Sequence, residues 1–224
     1  MSDWWTNDRL VSVCVDTPGW FDPFAERLVA AARDAGSHAV FVRSADEVGT
    51  GGVAFYLSCM KIVPPRTLDR NHLNVVVHAS ALPKGRGFSP IAWQVLEGAK
   101  VIPVTMIEAA EGADTGAVLM TDSVTLEGHE LNDEIRNRLG QTIVSMCLRM
   151  LTADQPPVGR QQVGEATWYP RRQAQDSMID PSRPLSDQFD LLRVVDNDRY
   201  PAFFDLRGHR YLLRIEKIPS PGPE

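Results

Sequence analysis

Apolar and polar positions alternate along this chain in short blocks divided by turn residues. Leu10 to Asp16 (LVSVCVD) reads as a strand, and Thr17-Pro18-Gly19-Trp20 as the turn after it. Asp22-Pro23 offers an N-cap followed by proline at the first helical position. The spacing then predicts a helix over 23–34, with Phe24, Leu28 and Ala31 on its buried face and a stop at Gly36. Strands are predicted over 39–43 and 53–57, and the run Val75-Val76-Val77 ends a further strand on His78. A helix over 90–96 stops at Gly98, and an apolar segment over 101–107 follows. The clearest helix spans 130–150, where Leu131, Ile135, Leu139, Ile143, Met146 and Met150 recur at helical spacing, a pattern of core packing. Strands alternating with helices predict an α/β fold built on a doubly wound, mostly parallel sheet.

The pattern changes after Leu151. Asp154-Gln155-Pro156-Pro157-Val158-Gly159 is linker-like, and Pro and Gly recur to the end. This predicts a catalytic domain over 1–153 and a small α+β extension over 154–224, with a helix at 185–194 and a strand pair around 202–206 and 211–215. Residues 1–9, polar apart from Trp4 and Trp5, read as a loosely held tail.

Composition narrows the class. The 224 residues are 43% hydrophobic and 23% charged, which suits a globular chain with a real core. A formal net charge of −6 argues against a polyanionic partner, because nucleic-acid binding depends on clustered Lys and Arg. Three widely spaced cysteines, Cys14, Cys59 and Cys147, include no Cys-x-x-Cys pair and support neither a zinc site nor a disulfide framework. No signal peptide or membrane-length apolar run is evident, so a cytoplasmic setting is expected.

The candidate chemistry gathers between 74 and 120. His78 falls at a strand's C-terminal edge, where open α/β sheets collect ligands. Leu82-Pro83-Lys84-Gly85-Arg86-Gly87 is a basic glycine loop able to approach a ligand closely, and Gly112-Ala113-Asp114-Thr115-Gly116 is a tight turn with one carboxylate. A histidine and an aspartate at the ends of neighbouring elements suit proton transfer, since imidazole titrates near pH ~6.5. The plainer readings are a hydrogen-bonded strand-end histidine and a turn aspartate. Lys84 and Arg86 either steer an anion or are solvated loop charges, and Lys61 divides the same way. Asp16 reads as a turn cap, and His38, His72, His129 and His209 as structural or surface residues. No Gly-x-Gly-x-x-Gly follows the first strand, which removes the main support for a nicotinamide site.

HASALPKGRGFSP and the later GADTG resemble the core signature of the N10-formyltetrahydrofolate-dependent formyltransferases, a superfamily acting on methionyl-tRNA, glycinamide ribonucleotide and nucleotide sugars. The resemblance implies a Rossmann-like formyltransferase fold with His78 and Asp114 as the catalytic pair. It implies that Leu82, Pro83, Gly87, Ile107 and Gly112 lie along the site of N10-formyltetrahydrofolate, with no metal. The superfamily's catalytic Asn, which donates a hydrogen bond to the formyl oxygen, falls where this chain has Val76. Further on, Arg-Arg, Asp-x-x-Ile-Asp, Phe-x-x-Leu-Arg and Tyr-Pro-x-Phe resemble the segment following the catalytic domain in nucleotide-sugar and methionyl-tRNA formyltransferases. Ser80, Lys84, Arg86, Trp168, Tyr169, Arg193, Asn197 and Tyr200 are the expected acceptor contacts. Phe203 is added as either pocket wall or subdomain core. The expected activity is N-formylation of a small amine, a nucleotide-linked amino sugar above all, without nucleic acid or membrane partners and with a homodimer left open. A formyltetrahydrofolate hydrolase and a catalytically impaired binding protein of the same fold are the alternatives.

Overall fold

The computed structural model of the protein describes residues 4–5 and 9–218. Its regular elements are β1 (Leu10–Cys14), α1 (Asp22–Asp34), β2 (His38–Val42), β3 (Gly51–Tyr56), α2 (Pro65–Leu68), β4 (Asn71–His78), β5 (Arg86–Gly87), α3 (Pro90–Leu96), β6 (Val101–Glu108), β7 (Val118–Thr125), α4 (Asn132–Leu151), β8 (Trp168–Tyr169), α5 (Phe189–Val194), β9 (Ala202–Leu206) and β10 (His209–Leu213). Six strands form one sheet in the order β2-β1-β3-β4-β6-β7. The first four are parallel; β6 runs antiparallel to β4, and β7 antiparallel to β6. Among the described residues no helix is long and apolar enough to cross a membrane.

The two-residue side-chain period divides the sheet into unlike faces. Val11, Val13, Phe55, Val75, Val104 and Met106 join Leu28 and Ala32 of α1 and Ile135, Ile143, Met146 and Met150 of α4 in one continuous core. Each of these side chains larger than alanine, fully buried, contributes roughly 1.5–3 kcal/mol. Cys14, Ala54 and Tyr56 belong to the other face, where they form a smaller cluster with Val76 and Ala109 packed against it. Both long helices thus cover one face, not two as a doubly wound sheet would have it. Among the described residues the second face keeps the four-residue α2 and loops, and the cleft opens at the sheet's end beside it, with Leu139 and Ile143 of α4 also lining it.

Several expectations need correction. α1 starts at Asp22 rather than Pro23, and its buried face is Ala25, Leu28, Val29 and Ala32. Phe24 is half-buried, its ring lying over Gly140, where an added Cβ would come within 2.7 Å of it. Strand β7 had no clear signal: its burial is intermediate and irregular, as for an edge strand bearing Asp122 and Ser123. Trp4 and Trp5 are not loose. Trp5 Nε1 donates to the Ala153 carbonyl at 2.8 Å and Trp4 stacks on His72 at 4.9 Å, while residues 1–3 and 6–8 lie outside the described residues.

The run after Leu151 pairs back at once, with Arg160 and Val118 exchanging both backbone hydrogen bonds at 2.7 and 2.9 Å. β8 then pairs in parallel with β5. The last third closes on a small core of Ile179, Leu192, Val195 and Ala202.

Candidate active site

A cleft of about 810 Å³ opens at the end of the sheet where β1, β3 and β4 terminate. Its floor is apolar: Tyr56, Val76 and Ile107 stand opposite one another in register on β3, β4 and β6. The loops 17–21, 58–63, 87–92 and 109–115 wall it, joined by residues of 168–173 and 194–200.

His78 sits at the last position of β4, with only 9% of its side chain exposed. Its Nε2 lies 2.8 Å from the Gly85 carbonyl oxygen. That oxygen can only accept, so Nε2 carries the proton and donates. Nδ1 then faces Asp114 Oδ1 at 3.4 Å, longer than a good hydrogen bond. Asp114 is held in turn: its other carboxylate oxygen accepts from the Gly87 N–H at 2.9 Å.

The turn carrying Asp114 demands its residue types. Asp114 itself has φ +56 and Gly112 φ +103, left-handed conformations that Asp tolerates and Gly adopts freely. A Cβ on Gly116 would fall 1.6 Å from the Glu108 carbonyl oxygen, so only glycine fits there.

The cleft gathers part of the expected set. Gly87, Ile107, Gly112, Trp168, Tyr169 and Tyr200 line it beside His78 and Asp114. Tyr169 stacks on Trp93 at 6.4 Å and donates its hydroxyl to Glu97 at 2.7 Å; burial and that carboxylate push its phenol up to about 12.

The remaining expected contacts fall outside the lining. Ser80 is buried, its carbonyl accepting from Thr105 at 2.6 Å. The Leu82–Pro83 peptide is cis and Pro83 is buried, its carbonyl taking the Thr167 N–H at 3.3 Å. Lys84 is exposed and away from the cleft, and Arg86 turns to Gln162 at 2.6 Å.

Arg193 and Asn197 require correction. Arg193 is 4% exposed and satisfies the wholly buried Glu130 and the nearby Asp190, so its charge is spent on tying α5 to the turn before α4. Asn197 exchanges hydrogen bonds with the Ile215 backbone at 2.8 and 3.2 Å, pinning the chain after β10. Phe203 is 8% exposed and outside the cleft lining, which makes it core. Asp16 caps a turn, accepting from the Met60 and Lys61 N–H groups at 2.9 Å.

Cleft residues that sequence reasoning missed include Tyr56, Phe88, Arg136 and Arg199. Arg136 of α4 pairs with Asp196 at 2.9 Å and Arg199 donates to the Pro18 carbonyl at 2.9 Å, so the two arginines tie the later chain to α4 and to the loop after β1. Arg171 lies over the Phe88 ring at 4.4 Å. Its basic pair with Arg172 was visible in the sequence; the others carried no local signal. Glu127, His129 and Glu130 are a cluster of metal-ligand types, but the Glu130 carboxylate already accepts from backbone N–H groups, Glu127 and Gly128 among them, and faces two guanidinium groups.

Residues 26–151 match the family model described as Formyl transferase. A methionyl-tRNA formyltransferase from Synechococcus sp. (strain JA-3-3Ab) is 31% identical over 166 residues, covering 72% of this chain and 50% of that protein. The chain therefore spans about half the length of the curated relatives it matches. Among solved structures, a methionyl-tRNA formyltransferase from Clostridium thermocellum aligns with a TM-score of 0.78 at 23% identity over 94% of this chain and 93% of that one. A sugar N-formyltransferase from Shewanella sp FDAARGOS_354 aligns with a TM-score of 0.69 at 14% identity, over 95% and 99%. Fold and family model agree: the chain belongs to the formyl transferase family.

Proposed function

We propose that this chain transfers a formyl group from N10-formyltetrahydrofolate to the amine of a small acceptor, a nucleotide-linked amino sugar. The observation that carries the reading is the His78–Asp114 pair at the cleft wall, with Nε2 of the imidazole committed to the Gly85 carbonyl. That commitment leaves Nδ1 as the basic nitrogen. When Nδ1 takes the proton of an attacking amine, the imidazolium formed faces Asp114 at 3.4 Å and is stabilised there. The same nitrogen can then release the proton to a departing amine. The folate, when bound, supplies the activated formyl carbon.

The cleft suits such a donor. Its volume falls in the range of small-ligand sites, roughly 300–1,000 Å³. Tyr56, Val76 and Ile107 offer an apolar floor for a ring, and the backbone from Ala109 to Thr115 offers polar groups at its edge. Trp168, Tyr169 and Tyr200 are proposed to receive the acceptor, with Arg171 beside Phe88 for its phosphate.

The small acceptor is favoured by the net charge of −6 and by the sugar N-formyltransferase of like fold. The relatives named for methionyl-tRNA make that acceptor the second reading. The division into a catalytic unit, 1–153, and an extension, 154–224, and a cytoplasmic setting belong to the same proposal.

The test is incubation with N10-formyltetrahydrofolate and a panel of nucleotide-linked amino sugars, read by mass spectrometry. A formylated sugar is the expected product. Free formate alone would make the chain a hydrolase, formylation only of methionyl-tRNA would replace the acceptor, and binding without turnover would leave a binding protein.

A further inference from the structure

The stretch from Arg160 to Tyr169 returns to the cleft and touches the partners of His78 from two sides. Gln162 Nε2 donates to the carbonyls of Asp114 and Gly116, both at 2.8 Å, while its Oε1 accepts from Arg86 Nη2 at 2.6 Å. The amide has one permissible orientation, because carbonyls only accept and guanidinium only donates. One side chain thus joins the Asp114 turn to the glycine loop. Five residues later Thr167 Oγ1 accepts from the Gly85 N–H at 2.9 Å, and its N–H goes to the Pro83 carbonyl. Gly85 is the residue whose carbonyl holds His78 Nε2.

Packing does not explain why the stretch lies there. Residues 163–168 are exposed, Val163 at 88%, and within 160–169 only Gln162 and Tyr169 are half-buried. What binds the stretch is backbone pairing at its two ends, Arg160 with Val118 and β8 with β5, the Tyr169–Trp93 stack, and between them the polar contacts of Gln162 and Thr167 with the two loops that flank His78.

We propose that residues 160–169 form a positioning strap, in which Gln162 sets the Asp114 side of the His78 ring and Thr167 sets the Gly85 side. The strap rests on the reading of His78 and Asp114 as the working pair, and it lies outside the family-matched residues. Gln162 and Thr167 act through other groups; neither is placed against substrate.

The test uses the full chain labelled with 15N at histidine, with the His78 ring resonances assigned by their loss in His78→Gln. Asp114→Asn should move the Nδ1 resonance. Gln162→Glu keeps an oxygen for Arg86 but sets a carboxylate against two carbonyl oxygens, so it should move Nδ1 in the same sense. Thr167→Val should move Nε2, and Thr167→Ser, which keeps the hydroxyl, should leave Nε2 in place. Near-ultraviolet circular dichroism checks folding, and Thr167→Val carries the test should Gln162→Glu not fold. If Asp114→Asn moves Nδ1 while folded strap variants leave both resonances untouched, the strap is wrong and the pair stands. If Asp114→Asn leaves Nδ1 untouched, the pair itself is wrong and the strap falls with it.

Discussion

At the residue scale, the proposed proton transfer rests on His78 and Asp114. Replacing His78 by Gln or Asp114 by Asn should lower formyl transfer by about two to four powers of ten, the usual weight of a positioned acid–base group. Steady-state turnover on the acceptor found by the panel checks this, with circular dichroism confirming the fold. Val76 supports a prediction in the opposite direction. It lies on the cleft floor two residues before His78, beside Tyr56 and Ile107, and offers no donor. Val76→Asn would place an amide there and should raise kcat, up to about a hundredfold, if an oxyanion donor is what the site lacks. Unchanged turnover would show that another group already supplies the bond. His78 and Asp114 were legible because glycine, proline and histidine occur at set spacings around strand ends. Arg193 was not: a basic residue on a helix near aromatics looks the same in sequence whether it faces a ligand or a buried carboxylate.

At the element scale, α4 is held at its start by Glu130, which is 0% exposed. Burial alone would push its carboxyl up, but the N–H groups of Glu127, Glu130 and Gly128, with the Arg138 charge, outweigh this and hold it at about 2. Its folded pKa is thus depressed. The stability it gives is present above the ordinary carboxylate value of about 4.3 and is lost as pH falls toward 2. Glu130→Gln removes the buried carboxylate facing Arg193 and leaves that guanidinium with the half-exposed Asp190 as its charge partner, which should cost up to about 3–5 kcal/mol at neutral pH. Urea unfolding from pH 7 to pH 3 should show a shallower acid loss in the variant than in the parent. The long elements were readable because α4 repeats apolar residues at helical spacing and β1 and β4 carry dense apolar runs. β7 was not, since an edge strand half-covered on each side keeps no clean alternation.

For the whole molecule, the acceptor's size should appear in salt dependence. A small acceptor predicts turnover that falls only mildly from about 50 to 200 mM salt. A polynucleotide held by six to ten phosphate contacts would lose roughly three to five powers of ten in affinity over that range. The end of α4 at Leu151 was visible as a change of composition, but where the later chain goes was not. Proline and glycine mark the turn out of α4, whereas the return of 160–169 is fixed by contacts distant in sequence, such as Gln162 to Asp114. That distance has a consequence for synthesis. His78 and Asp114 leave the ribosome well before Gln162 and Thr167, so a nascent chain paused within 154–159 holds the pair without the groups that brace its loops. With the strap as proposed, the candidate site reaches its final geometry only after the last third has begun to emerge, which separates folding of the sheet in time from completion of the site.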